Sequence, residues 1–432
     1  MSRARVTVFE FEGFKLNTLN RLVFRGDHPV SLPPKAFDIL CFLIEHRDRV
    51  VTKAELLKAV WPGTFVEEGN LAQNVSVIRR VLGEVPSEHR FIVTIPGQGY
   101  QFAAEVRTEG PGATGIASAE SWFVKGRHLL NKRLTGTLRE AITCFLQSID
   151  EDPAFAPAWA GLADAYALLS LYGASMPREV FPKSKAAAQA ALRIDPQLAD
   201  AHNALGVVAL FYDWNWSEAE AALCRAIELN PRLGDAHQRY GIYLTAMGRF
   251  AESRAALDRA QSLDPLSRII ATIAGYPAYY SRDFEAAARQ FRHVLEVDPD
   301  FSMAHFRLGL TLAHLGRFPQ ALEQLEISRR LSNDRDVVAA QGLVHAMQGN
   351  REPAESALAE LAERSQETFV SPYTVATIRA ALGDVDTAFA LLDRALADRS
   401  YWMIYLDVDP ALDPLRGDPR FDVLRRAVRQ PA

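Results

Sequence analysis

From Asp195 onward, an acidic or amide residue followed by proline returns at a nearly fixed interval. Asp195-Pro196, Asn230-Pro231, Asp264-Pro265 and Asp298-Pro299 are separated by 35, 34 and 34 residues, and Asp152-Pro153 extends the series toward the N-terminus. Between the prolines a small residue stands where two helices would cross (Gly126, Ala163, Gly206, Gly241, Gly275, Gly309). Alanine recurs in the second helix of the unit (Ala141, Ala219, Ala287, Ala321). Packed helix backbones approach closely at such positions and leave no room for a larger side chain. A unit of this length is one helical hairpin, too small to bury its own apolar face, so successive units must stack into a solenoid.

The period and the placing of its small residues are similar to the tetratricopeptide repeat. The pattern is clearest over residues 199–335 and is traced from 119 to 400, about eight repeats in all. Beyond Asn333 the proline is lost, and Gly342 with Leu358 and Ala388 with Leu392 carry it weakly. Residues 401–432, with Asp409-Pro410, Asp413-Pro414 and a helix from Phe421 to Val428, read as a cap over the last apolar face. First helices of such a stack line a groove, and Phe211, Gln238, Ile242, Tyr276, Tyr279, Tyr280, Phe306 and His314 fall at its positions. The Lys/Asn/Arg set with which chaperone-binding repeats clamp a carboxylate terminus is missing. An aromatic groove fits a protein partner, through an apolar peptide or a helix, or a small ligand.

The first hundred residues follow another rule. Between Val6 and Leu32, short alternating apolar segments broken by Gly13, Asn17, Asn20 and Gly26 read as a small antiparallel sheet. Pro33-Pro34 then opens a helix whose Phe37, Leu40, Leu43 and Ile44 share one face. Thr52 and Glu55 form a capping box ahead of a second helix, which Pro62-Gly63 ends. A third helix runs from about Glu68 to Leu82. Leu71, Val75, Ile78 and Leu82 fall in one narrow arc, with Gln73, Ser76, Val77 and Arg80 opposite and Asn70, Asn74 and Arg79 on the flanks. Amides pair with adenine edges, Arg with guanine or phosphate, and Val meets a thymine methyl, so the outer face is equipped for a major groove.

Phe91–Ile95 and Tyr100–Phe102 make strands around the turn Pro96-Gly97-Gln98-Gly99. Sheet, three helices and a C-terminal hairpin compose a winged helix-turn-helix. Leu32-Pro33-Pro34-Lys35, Arg49-Val50-Val51-Thr52-Lys53-Ala54-Glu55-Leu56, Val60-Trp61 and the run Phe91 to Phe102 resemble the OmpR/PhoB-type effector domain over Val8 to Phe102. The resemblance implies that the third helix enters the major groove and the wing approaches a neighbouring minor groove. Family members often carry an arginine in the wing where this chain has Pro96, leaving Thr94 and Gln98 as its backbone contacts. No receiver domain is read ahead of the module, so aspartyl phosphorylation is not the expected input.

The chain is therefore read as multidomain. An α+β winged helix at 1–104 and a flexible Gly/Ala/Thr/Glu linker at 105–118 precede the all-α array at 119–400 and its cap at 401–432. Residues 1–104 carry 13 Lys+Arg against 11 Asp+Glu, a small positive excess on a chain whose net charge is −5. No apolar run is long enough to span a membrane, no apolar signal core opens the chain, and Cys41, Cys144 and Cys224 form neither a CxxC pair nor a zinc site. A cytoplasmic bacterial protein without cofactor or metal is expected. Phosphate-loop, HExxH and Gly-x-Ser-x-Gly motifs are lacking, so no enzyme is expected. Two readings stand. One is a transcription regulator whose winged helix reads double-stranded promoter DNA, in concert with RNA polymerase, while the array senses a partner or ligand. The other is an adaptor whose winged helix docks on protein, such as RNA polymerase, without reading bases.

Overall fold

The computed structural model describes residues 8–18, 22–26, 28–30, 32–61, 68–84, 90–95, 97–109, 116–132, 135–332, 334–366 and 368–429. The chain divides into two compact units, Met1–Lys125 and Gly126–Ala432. In the first, the elements run β1 (Val8–Phe11), β2 (Phe14–Asn17), β3 (Leu22–Arg25), β4 (His28–Val30), α1 (Pro34–Glu45), β5 (Val51–Thr52), α2 (Lys53–Val60), α3 (Glu68–Leu82), β6 (Ile92–Ile95), β7 (Gly99–Phe102) and β8 (Arg107–Glu109).

Strands β1 to β4 form an antiparallel meander, and β8 closes its other side in the order β4-β3-β2-β1-β8. Its pairing sets Phe9 opposite Thr108 and Glu10 opposite Arg107. The linker expectation for 105–118 is corrected here: residues 107–109 are strand, and a helix begins at Ile116. The physical reason is that β1 would otherwise present a row of unpaired backbone groups at a sheet edge.

Phe11 and Phe14 stack on each other, and Phe102 and Phe91 meet them edge to face, Phe11 on Phe102 at 5.1 Å and Phe14 on Phe91 at 5.6 Å. Leu71, Val75, Ile78 and Leu82 of α3 are buried in the same core with Ile39, Leu40 and Leu43 of α1. The start of α2 is fixed by its capping box, in which Thr52 Oγ1 accepts from Glu55 N at 3.2 Å and Glu55 Oε2 accepts from Thr52 N at 2.8 Å. Lys35 Nζ donates to Val60 O at the other end of α2, 2.6 Å away.

A second sheet, β5-β7-β6, carries the wing. Thr94 lies opposite Tyr100, Ile95 opposite Gly99, and Val51 of β5 opposite Tyr100. At Gly99 a Cβ would fall 1.9 Å from the carbonyl oxygen of Val51, so only glycine lets β5 and β7 meet.

In the second unit, paired helices run from Ile116–Asn131 with Thr135–Glu151, a pair that starts ahead of the division, to Pro372–Ala381 with Val385–Ala397; eight such hairpins lie among the described residues. The recurring Asp/Asn-Pro step has a local cause. Asp195, Asn230 and Asp298 each accept with Oδ1 from the backbone N–H two residues on, at 2.9, 3.1 and 3.2 Å, turning the chain out of one helix. Histidines 202, 237 and 305 then bond the proline carbonyls, binding the next helix to that turn. Within a hairpin the second helix's side chains press on the first helix's backbone: a Cβ on Gly241 would lie 2.6 Å from Leu257 Cγ. After the last hairpin come 3-10 turns at Tyr401–Tyr405 and Pro410–Leu415 and the helix Pro419–Arg429.

Because the obstruction at Gly99 is backbone, no side-chain rotation relieves it. Gly99→Ala is expected to destabilise the winged helix by about 1–3 kcal/mol, read by thermal or urea unfolding of its near-ultraviolet signal.

Candidate nucleic-acid interface and repeat groove

On α3 the sequence pattern and the structure agree in phase. Asn70, Gln73, Ser76 and Arg80 are exposed, Asn74, Val77 and Arg79 are half-buried, and the four apolar positions are in the core. Two flanking residues are already occupied. Asn74 Nδ2 donates to Asn70 O one turn back at 2.8 Å. Arg79 reaches away from the outer face, its Nη2 donating to Ile92 O at 2.9 Å and to Thr94 Oγ1 at 2.7 Å on β6.

Arg79 and Thr94, expected to meet phosphate and the DNA backbone, are hydrogen-bonded to each other in this structure. Together they brace α3 to the wing strand. The sequence pattern does not show this contact, because residues 79 and 94 become neighbours only once β6 lies alongside α3. Gln98 is exposed at the wing turn, its N–H donating to Ile95 O at 3.0 Å. Pro96 lies outside the described residues. What remains free for a groove is a strip of two amides, a hydroxyl and a guanidinium (Asn70, Gln73, Ser76, Arg80), with Gln98 on the wing.

The repeat groove departs further from expectation. Phe211, Gln238, Ile242, Tyr276, Tyr279 and Tyr280 are buried, and Phe306 and His314 are half-buried. They do not line an open channel, because the chain's own C-terminal segment lies on them. Tyr405 stacks on Tyr280 with centroids 4.5 Å apart and planes within 8°. Tyr373 donates to Asp409 Oδ2 at 2.8 Å, and Arg282 reaches Asp413 Oδ1 at 2.6 Å and Val408 O at 3.3 Å. Farther back, Trp216 Nε1 donates to Val428 O at 2.8 Å. His314 stacks on Phe284 at 4.9 Å, and burial pulls its pKa down to about 4, so it is neutral.

The cap expected over the last repeat thus extends along first helices of several hairpins. The reason is apolar content: Trp402, Met403, Ile404, Tyr405 and Leu406 are consecutive and buried, more surface than the last hairpin alone can cover. A buried Arg307 sits at the centre, its guanidinium 4.2 Å from the centroid of Tyr276 and 5.3 Å from that of Trp402.

By its architecture, then, the first unit is a winged helix of a DNA-binding class and the second an array of helical repeats. The family described as "Transcriptional regulatory protein, C terminal" matches residues 27–102, and the family "Tetratricopeptide repeat" matches residues 274–336. The chain carries an OmpR/PhoB-type DNA-binding domain at its N-terminal end and tetratricopeptide repeats C-terminal to it. Over 105 residues it is 37% identical to transcriptional regulator HilA of Salmonella typhi, 24% of this chain and 19% of HilA. Over 98 residues it is 32% identical to the phosphate regulon transcriptional regulatory protein PhoB of Klebsiella pneumoniae, 22% of this chain and 42% of PhoB. The match thus spans less than half of either relative. A solved tetratricopeptide repeat protein from Parabacteroides merdae is similar over 62% of this chain and 98% of its own, at 12% identity and a TM-score of 0.43. Among the described residues no helix is long and apolar enough to cross a membrane.

Two outcomes follow from these contacts. Arg79→Ala should cost about 1.5–3 kcal/mol of winged-helix stability, as expected for hydrogen bonds from a charged group, and the Arg79→Ala/Thr94→Val double variant should lose less than the sum of the singles. A urea-unfolding cycle over the four proteins measures it. Tyr280→Ala should destabilise the array by about 3–5 kcal/mol, the range of large aromatic core truncations, and loosen the C-terminal segment in hydrogen exchange.

Proposed function

We propose that this chain is a DNA-binding transcription regulator in which α3 reads base edges in a major groove and the repeat array receives the signal. The observation that carries the reading is the free strip on α3. Asn70, Gln73, Ser76 and Arg80 project from a helix whose inner face is locked in the core and whose flank is braced by Arg79, so the strip is presented on a rigid support. Gln is suited to bidentate pairing with adenine and Arg to guanine. Residues 27–102 matching a transcriptional regulatory family, and 37% identity to the regulator HilA over this segment, support it.

With the groove filled by the C-terminal segment, a protein partner would meet the outer surfaces of the array, or displace that segment. With Arg79 hydrogen-bonded to Ile92 O and Thr94, Arg80 is the exposed arginine among the described residues of α3. That observation favours a second reading, an adaptor whose winged helix meets RNA polymerase rather than base edges. DNA binding governed by phosphate contacts weakens steeply with salt, whereas base contacts set the preference between sites.

Selection of bound sites from random duplex DNA with the full chain tests the two readings together. A regulator enriches a motif; an adaptor enriches none. On the enriched site, Gln73→Ala or Arg80→Ala should each cost about 1–3 kcal/mol and relax preference at one or two base pairs. Equal losses on specific and random DNA would reject α3 as the reading helix.

A further inference from the structure

Away from the filled groove, a cleft of about 650 Å³ opens where the second and third hairpins meet both ends of the C-terminal segment. Its size falls within the usual range for small-molecule sites. Lys185, Tyr212, Trp214 and Ser217 come from one side, Arg399 and Arg429 from the other.

The backbone around it is unusual. Residues Ala209–Asp213 form a π-helical turn, a rare element that accumulates at functional sites. It leads into Trp214 at φ 54°, and Arg399 across the cleft has φ 56°. Both are bulky residues in the left-handed region, where such side chains are strained. The two strained residues face each other, the Arg399 guanidinium lying 4.6 Å from the Trp214 ring centroid.

The charges are unevenly matched. Lys185 pairs with Asp213 at 2.6 Å, Arg429 with Asp407 at 2.8 Å, and Glu218 accepts from Asn215 at 2.9 Å. Arg399 has no carboxylate within ion-pair reach among the described residues; its Nη1 donates to Tyr212 O at 3.3 Å. Stacking fixes the plane of its guanidinium while leaving N–H edges for an acceptor. The indole N–H of Trp214, 1% exposed, also has no hydrogen-bond partner. Lys185 and Arg429 are each held by a carboxylate, which leaves Arg399 as the cation of the cleft without one among the described residues.

We infer that this cleft binds a small organic anion through a phosphate or carboxylate head group held by Arg399 and Lys185. A forked guanidinium prefers such oxyanions, and the ligand bridges Lys185 on the second hairpin to Arg399, where the C-terminal segment that fills the groove begins. This deepens the sensing role proposed above and rests on it for its meaning. Binding to the purified chain is measured without DNA, so its failure is distinct from failure of the DNA reading.

The experiment titrates the full chain calorimetrically with potassium phosphate and with potassium citrate, each against potassium chloride at matched ionic strength. Saturable binding of one or both anions is expected, and the tighter one identifies the head group. Hydrogen exchange over residues 399–429 should slow at saturation. Arg399→Gln should weaken binding about tenfold or more, as loss of a charge-assisted fork does. Should that variant fail to fold by circular dichroism, Lys185→Gln carries the test with a loss of about threefold or more. No saturation above the chloride control, or unchanged affinity in the folded variants, overturns the inference.

Discussion

A helical hairpin of some 34 residues has more apolar surface than it can cover alone, and this one constraint shapes the whole second unit. Each hairpin covers its neighbour, and its own two helices pack closely enough that a Cβ on Gly241 would lie 2.6 Å from Leu257 Cγ. Stacking settles the faces between repeats but leaves the face formed by first helices. In this chain that face is rich in Tyr276, Tyr279 and Tyr280, and the run Trp402–Leu406 supplies what covers it. The C-terminal segment is thereby part of the core. Arg307 shows how far this goes. A guanidinium 6% exposed and without a carboxylate in ion-pair reach among the described residues is tolerated because aromatic faces of Tyr276, Phe306 and Trp402 surround it.

In the first unit, two neighbouring arginines have opposite fates. Arg79 and Arg80 differ by 100° around α3, enough to turn one toward β6 and leave the other in solvent. The first fixes the angle between helix and wing. The second remains available to a ligand. Base reading needs both, because a bidentate contact tolerates little misplacement of the helix that carries it.

Much of this was legible in the sequence for a common reason: periodicity reports which face of an element is buried. Leu71, Val75, Ile78 and Leu82 gave the inner face of α3, and Thr52 with Glu55 gave the cap of α2. The repeat period likewise gave the hairpins. What stayed hidden depends on contacts between distant segments. A three-residue strand at 107–109, within a stretch of Gly, Ala, Thr and Glu, has no pattern of its own and forms because β1 needs an edge partner. Groove positions were read as open, since nothing local in Tyr276 or Tyr280 announces that Tyr405, more than a hundred residues on, stacks there.

The same reasoning explains where sensitivity to a ligand can reside in an array whose groove is already full. Displacing Trp402 and Tyr405 would expose several aromatic side chains, each worth about 1.5–3 kcal/mol of burial, so a weak ligand cannot open the groove by competing for it. A ligand that binds at the margin of the segment faces no such cost. At the Arg399 cleft contacts that hold the segment to the array are polar and partly exposed: Arg399 on Tyr212 O, and Arg429 on Ala246 O. Contacts of that kind are individually modest, so an anion at Arg399 has comparable energy to set against them. The aromatic core holds the segment in place, and the cleft at its edge is where its position is open to adjustment.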